Sequence, residues 1–139
     1  MPAKDIFHDK VRRALEKDGW TITDDPYSLK WDDNENLFVD LAAEKLIVAE
    51  KGADKIAVEI KTFIGKSKMQ DLHLAIGQFV IYRTAIEQTE PDRELFLAVP
   101  MEILRDVFGR EKGGILVEGI GLKIIGFDVE KEVIVEWKK

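Results

Sequence analysis

One stretch, Lys55-Ile56-Ala57-Val58-Glu59-Ile60-Lys61, constrains the fold more than any other. Its near-continuous apolar run reads as a buried strand. Side chains alternate along a strand, so Ile56, Val58 and Ile60 point one way and Ala57, Glu59 and Lys61 the other. A carboxylate and an ammonium two residues apart in so apolar a strand need a reason, because burying charge is costly unless it is paired or holds a metal. Two reasons fit: an ion pair at the rim of a sheet, or chemistry.

Around this stretch the pattern predicts one mixed sheet flanked by helices. A helix is expected from about Asp5 to Asp18, with Phe7, Val11, Ala14 and Leu15 on one face, Asp5 as N-cap and Gly19 just past its end. A strand Trp20–Thr23 follows, and Asp24-Asp25-Pro26 is expected to break it. Trp31–Asn36 is an acidic loop that lacks the glycine and glutamate spacing of an EF-hand and reads as solvated. Leu37–Ala42 reads as a strand with Asp40 on the face opposite Val39 and Leu41. Leu46–Glu50 is a second strand, joined through a turn at Lys51–Asp54 to the Glu59 strand as a hairpin.

Thr62–Lys68 is a lysine-containing loop. Met69 to about Glu87 has the longest helical periodicity, with an apolar face of Leu72, Ile76, Phe79 and Ile86 beside a stripe of Asp71, Ala75, Gln78 and Tyr82. Glu94–Val99 is a buried strand and Met101–Phe108 a short helix. Gly113-Gly114 is expected to turn, and Ile115–Val117, Leu122–Ile125 and Val133–Trp137 to be strands. No repeat or linker divides the chain, so residues 1–139 are read as a single domain of α/β (α+β) class.

Composition narrows the function. The 139 residues are 45% apolar and 35% charged, as in a globular chain with a sizeable core. There is no cysteine, which excludes a zinc ribbon, and the two histidines, His8 and His73, cannot build a zinc site without carboxylates. No signal peptide and no run of ~20 apolar residues is evident, so a cytoplasmic protein without a membrane span is expected. The net charge of −6 argues against a wide nucleic-acid surface. It leaves room for a local patch from Lys61, Lys66 and Lys68, or for a basic partner that supplies DNA affinity.

Three pieces suggest a site: Asp40, Glu59-x-Lys61, and Gln78-x-x-x-Tyr82 on the following helix. Two carboxylates can hold one Mg²⁺ (or Mn²⁺), with the main-chain carbonyl of Ile60 and waters completing the octahedron. Such a metal lowers the pKa of a bound water and neutralises charge on a phosphate. Lys61 can orient the water, assist its deprotonation or stabilise phosphate charge, and Gln78 can orient a ligand or touch substrate. The hairpin sets Glu59 opposite about Leu46, six residues past Asp40, or roughly 20 Å along an extended strand. Assembly therefore requires a turn or bulge within Leu41–Lys45, with Glu44 as the alternative ligand. The plain alternative is that Glu59 and Lys61 form a cross-strand pair, Gln78 and Tyr82 the polar edge of a core helix, and His8 a surface histidine.

These residues resemble the PD-(D/E)xK nuclease superfamily, with its restriction-endonuclease-like fold. Asp40 stands for its first acid, Glu59 and Lys61 for its E-x-K pair, and Gln78–Tyr82 for the Q-x-x-x-Y motif of one branch. His8 or Asp9 lies where its first helix often carries an acid, and Val39 replaces its proline. A closer resemblance covers nearly the whole chain. Lys17-Asp18-Gly19-Trp20, Thr23–Tyr27, Asp40–Glu44, Lys55–Lys61, Gly77-Gln78-Phe79 and Leu97–Pro100 are similar to the XisH family, cyanobacterial proteins called fdxN-element excision controlling factors. That resemblance implies a role in programmed DNA excision. It also implies DNA, a companion protein XisI and a site-specific recombinase complex as partners. A dimer is a further expectation for a nuclease that cuts both strands. Either the chain is a Mg²⁺-dependent endonuclease-like phosphodiesterase, or it keeps that fold as a regulatory module without cleavage.

Overall fold

Among the described residues six strands form one mixed sheet in the order β1-β2-β3-β4-β5-β6, so neighbours in sequence are neighbours in space. The computed structural model describes residues 3–27, Leu29 and residues 46–139. Asp40, Glu44 and the expected elements Trp31–Asn36 and Leu37–Ala42 lie outside the described residues. The strands are β1 (Thr21–Tyr27), β2 (Leu46–Lys51), β3 (Asp54–Ile60), β4 (Arg93–Pro100), β5 (Ile124–Asp128) and β6 (Val133–Lys138). Helix α1 spans Ala3–Lys17 and α2 Lys68–Thr89. After β4 a single turn, α3 (Met101–Ile103), runs into a π-helical segment, Leu104–Phe108, and then α4, Glu111–Ile120.

The three inner strands β3, β4 and β5 are parallel, and antiparallel pairs flank them on both sides. Parallel strands need crossovers, and α2 and the α3–α4 region supply them. Both crossovers lie on one face and α1 covers the other, which is why β3 and β4 read as almost unbroken apolar runs. The alternation divides each strand between two cores. Ile47, Ile56, Val58, Phe96, Ala98 and Ile125 meet Val11 and Leu15 of α1. Val48, Ala57, Leu95, Leu97 and Ile124 meet Ala75, Phe79, Tyr82 and Ile86 of α2.

Helix α1 ends as its sequence requires. Gly19 takes φ +94°, and the Trp20 amide donates to the Leu15 carbonyl at 3.0 Å, closing the last turn. The helix starts at Ala3, so Asp5 lies inside its first turn rather than capping it. At α2, Ser67 is the N-cap, its hydroxyl accepting from the Gln70 amide at 3.2 Å.

Two further expectations are corrected and one is refined. The β1 strand runs through Asp24-Asp25-Pro26 instead of stopping there. Among the described residues it is the edge strand, with two register irregularities against β2, the setting in which a proline is tolerated. Gly113 and Gly114 do not turn, and Ile115–Val117 is not a strand: all five residues are helical in α4. A Cβ on Gly113 would meet the Val107 carbonyl oxygen at 1.9 Å, so this glycine serves the close approach of α4 to the preceding segment. Finally, Met101–Phe108 is helical as expected but mostly of π type. Among the described residues no helix is long and apolar enough to cross a membrane.

Candidate functional site

In the middle of the sheet, β3 ends in the two charges that its sequence singles out. The β2–β3 ladder runs from Lys51↔Asp54 to Ile47↔Val58, as the hairpin predicts, and Glu59 pairs in parallel with Leu97 of β4. Alternation carries Glu59 past Ala57 onto the face that α2 covers. Its side chain is only 2% exposed. The Lys61 ammonium stands 3.6 Å from its Oε1, and the Lys61 amide donates to the Ala98 carbonyl at 3.0 Å, prolonging the β3–β4 pairing. Glu59, Ile60 and Lys61 thus sit at the carboxyl end of a central parallel strand, where open α/β sheets place their ligand sites.

The loop beyond is held in a demanding conformation. Phe63 has φ +57°, a left-handed backbone that costs ~1–3 kcal/mol for a residue with a side chain. Its buried ring meets the edge of Phe108 at 5.9 Å between centroids, and that contact offsets the strain. Asp71 in the first turn of α2 accepts from the Gly65 amide at 3.0 Å, tying the loop to the helix. Ile60–Gly65, Asp71 and Leu74 line a cavity of about 260 Å³ directly beyond the strand end.

Gln78 is half-buried on α2, between the core residues Ala75, Phe79 and Tyr82, so it occupies the flank of the helix nearest the sheet. Tyr82 is buried in the core that includes Ala57 and Leu97. The structure therefore brings Glu59 and Lys61 into one ion pair and sets Gln78 on the helix covering their face. Of the metal donors expected, Glu59 and the Ile60 carbonyl are hard oxygens suited to Mg²⁺. Among the described residues no group of three carboxylates or histidines gathers that could hold a metal ion, and the expected second acids, Asp40 and Glu44, lie outside those residues.

Sequence reasoning missed a second polar cluster. On the opposite face, Asp25 of β1 accepts from Arg12 at 2.6 Å and lies 2.6 Å from His8 Nε2, so His8 is a paired, half-buried histidine rather than a surface one. The signal lay in Asp25 itself, once β1 is allowed to continue past it. Among the described residues Arg93 is the other buried charge: it donates to the Ile56 carbonyl at 3.1 Å and to Glu90 at 3.1 Å, fastening the start of β4 to β3.

A six-stranded mixed sheet with helices on both faces, carrying an acid–lysine pair sunk at the end of a central parallel strand, defines an α/β domain with its polar site at the strand terminus. The chain belongs to the XisH family, whose description, XisH protein, matches residues 1–135. Two crystal structures are similar along almost the whole length. One is an fdxN element excision controlling factor protein from Anabaena variabilis, with 38% identity and a TM-score of 0.85 over 97% of this chain and 99% of that one. The other is an XisH family protein from Nostoc punctiforme, with 38% identity and a TM-score of 0.85 over 96% and 99%. No curated protein matches the sequence.

Proposed function

We propose that this chain acts in the excision of a DNA element as a metal-dependent phosphodiesterase of the PD-(D/E)xK type. The observation that carries the reading is the burial of Glu59 beside Lys61 at the end of β3. A buried ion pair adds little to stability, and apolar residues of similar size often do as well or better. A carboxylate placed here at that cost fits a role in chemistry. The excision role rests on the similarity to the Anabaena variabilis factor.

In this reading Glu59, the Ile60 carbonyl and Asp40, or Glu44 in its place, hold Mg²⁺ or Mn²⁺, which supplies positive charge against the phosphate when bound. Lys61 places a second positive charge within reach of the scissile phosphate and orients the attacking water. Gln78 positions substrate from the helix side. DNA reaches the cavity beyond β3, where Lys66 and Lys68 neutralise backbone phosphates. The net charge of −6 favours a basic partner, a XisI-type protein or a recombinase complex, that supplies the rest of the DNA affinity.

The test is nicking of supercoiled DNA with Mg²⁺ or Mn²⁺, alone and with a XisI-type partner, using wild type, Glu59→Gln and Lys61→Ala. Metal-dependent nicking in wild type, lost in both variants at unchanged melting temperature, supports the reading. Wild type without nicking in either condition, but with partner binding intact in both variants, replaces it with a non-catalytic binding module.

A further inference from the structure

Helix α2 is apolar on two sides. Its inner side, Ala75, Phe79, Tyr82, Ala85 and Ile86, is buried in the core. Its outer side carries Leu74 at 56% exposure and Ile81 at 44%, with Val80 beside them. A helix that is apolar all round is normally buried all round. The outer line Gln70, His73, Leu74, Gly77, Val80, Ile81 and Thr84 contains no Asp, Glu, Lys or Arg, although those residues make up 35% of the chain.

The order of that line is symmetric about Gly77. Three residues before it stands Leu74 and four after it Ile81, four before it His73 and three after it Val80, and at seven on either side Gln70 and Thr84. Two copies of α2 crossing antiparallel at Gly77 therefore bring Leu74 onto the partner copy's equivalent of Ile81, and the reverse. This is the self-complementarity that a two-fold contact requires.

Gly77 supplies an independent observation. It sits in the middle of a helix, where glycine is unfavourable, yet among the described residues nothing would lie within 4 Å of a Cβ there. Packing against the described residues does not require this glycine. A second backbone crossing over it does, because helix separation is set by the side chains at the crossing point.

We propose that the outer face of α2 is a docking surface for a second copy of this chain, forming a two-fold antiparallel helix pair centred on Gly77. Copies carrying a net charge of −6 repel one another, and this uncharged line is a surface on which they can meet. A contact of about four helical turns falls short of the ~800 Å² per partner of a standard interface, so the pairing is expected in the micromolar range. The proposal goes beyond the phosphodiesterase reading and does not depend on it.

Sedimentation velocity over a wide concentration range tests it. Wild type should show a concentration-dependent monomer–dimer equilibrium. Leu74→Glu with Ile81→Glu should remain monomeric with unchanged circular dichroism, since both side chains are exposed in the monomer. The chain has no cysteine, so a single introduced thiol reports the geometry. Gly77→Cys should form a disulfide-linked dimer under mild oxidation, because the dyad brings the two Cα atoms within the ~6 Å that a disulfide spans. Glu118→Cys, exposed on α4, should not. A wild type that stays monomeric at every concentration, a dimer that survives the double glutamate variant, or equal cross-linking at both positions overturns the proposal.

Discussion

Gly113→Ala should destabilise the chain, against the usual behaviour of glycine-to-alanine changes in a helix. At an open helical site the change stabilises by about 0.5–1 kcal/mol. At Gly113 the new methyl would lie 1.9 Å from the Val107 carbonyl oxygen and 2.9 Å from the Phe108 Cα, both backbone atoms, where real Cβ atoms essentially never come under 3.0 Å. Relieving the first contact requires a shift of roughly 1 Å between α4 and the π-helical segment, and overpacking of this kind costs about 1–3 kcal/mol or more. Because neither atom belongs to a flexible side chain, the upper end applies. The net loss is then ~2 kcal/mol, or a fall of roughly 6 °C in melting temperature for a chain of this length. Gly77→Ala is the matched control, since among the described residues nothing approaches its Cβ. Measured at low concentration, it should raise the melting temperature by roughly 2–3 °C. Calorimetric or circular-dichroism melts of the two variants suffice. A rise in melting temperature for Gly113→Ala equal to that of Gly77→Ala would refute the close approach of α4.

Other outcomes follow from the same structure. Phe79→Ala empties a fully buried site beneath α2 and should cost about 3–5 kcal/mol by urea unfolding. Glu59→Gln should leave the melting temperature within a few degrees of wild type while abolishing nicking; a collapse of the fold would instead mark Glu59 as structural. Glu132 is pulled from 4.5 down to about 2, chiefly by the hydrogen bond from Arg13. A carboxyl lowered in the folded state stabilises above its unfolded value, so this contribution is complete above about pH 4.5 and is lost as pH falls toward 2. The melting-temperature gap between wild type and Glu132→Gln should therefore be present at neutral pH and close across that window.

The sequence by itself determined the elements whose physics is local. The unbroken apolar runs of β3 and β4 and the glycine after α1 each mark their element without reference to the rest of the chain, whereas α2 is apolar on two sides and only its packing shows which side is buried. The charged end of β3 was legible for the same reason, since Glu59 and Lys61 violate an otherwise apolar strand and lie two residues apart. Tertiary structure alone decided matters that depend on distant neighbours. Pro26 stays in a strand because β1 lies at the edge of the sheet that the described residues form, which its own residues do not reveal. Gly113 looks like a turn until the Val107 carbonyl is placed against it, and only that contact shows why a helix needs glycine there. His8 finds Asp25 seventeen residues away because α1 crosses β1. Burial, too, belongs to the assembled sheet: alternation puts Glu59 and Lys61 on one face, but only the packing of β4 and α2 around the end of β3 leaves Glu59 2% exposed. Periodicity reports which face of an element is apolar, whereas the atom that meets that face is fixed by the path of the whole chain.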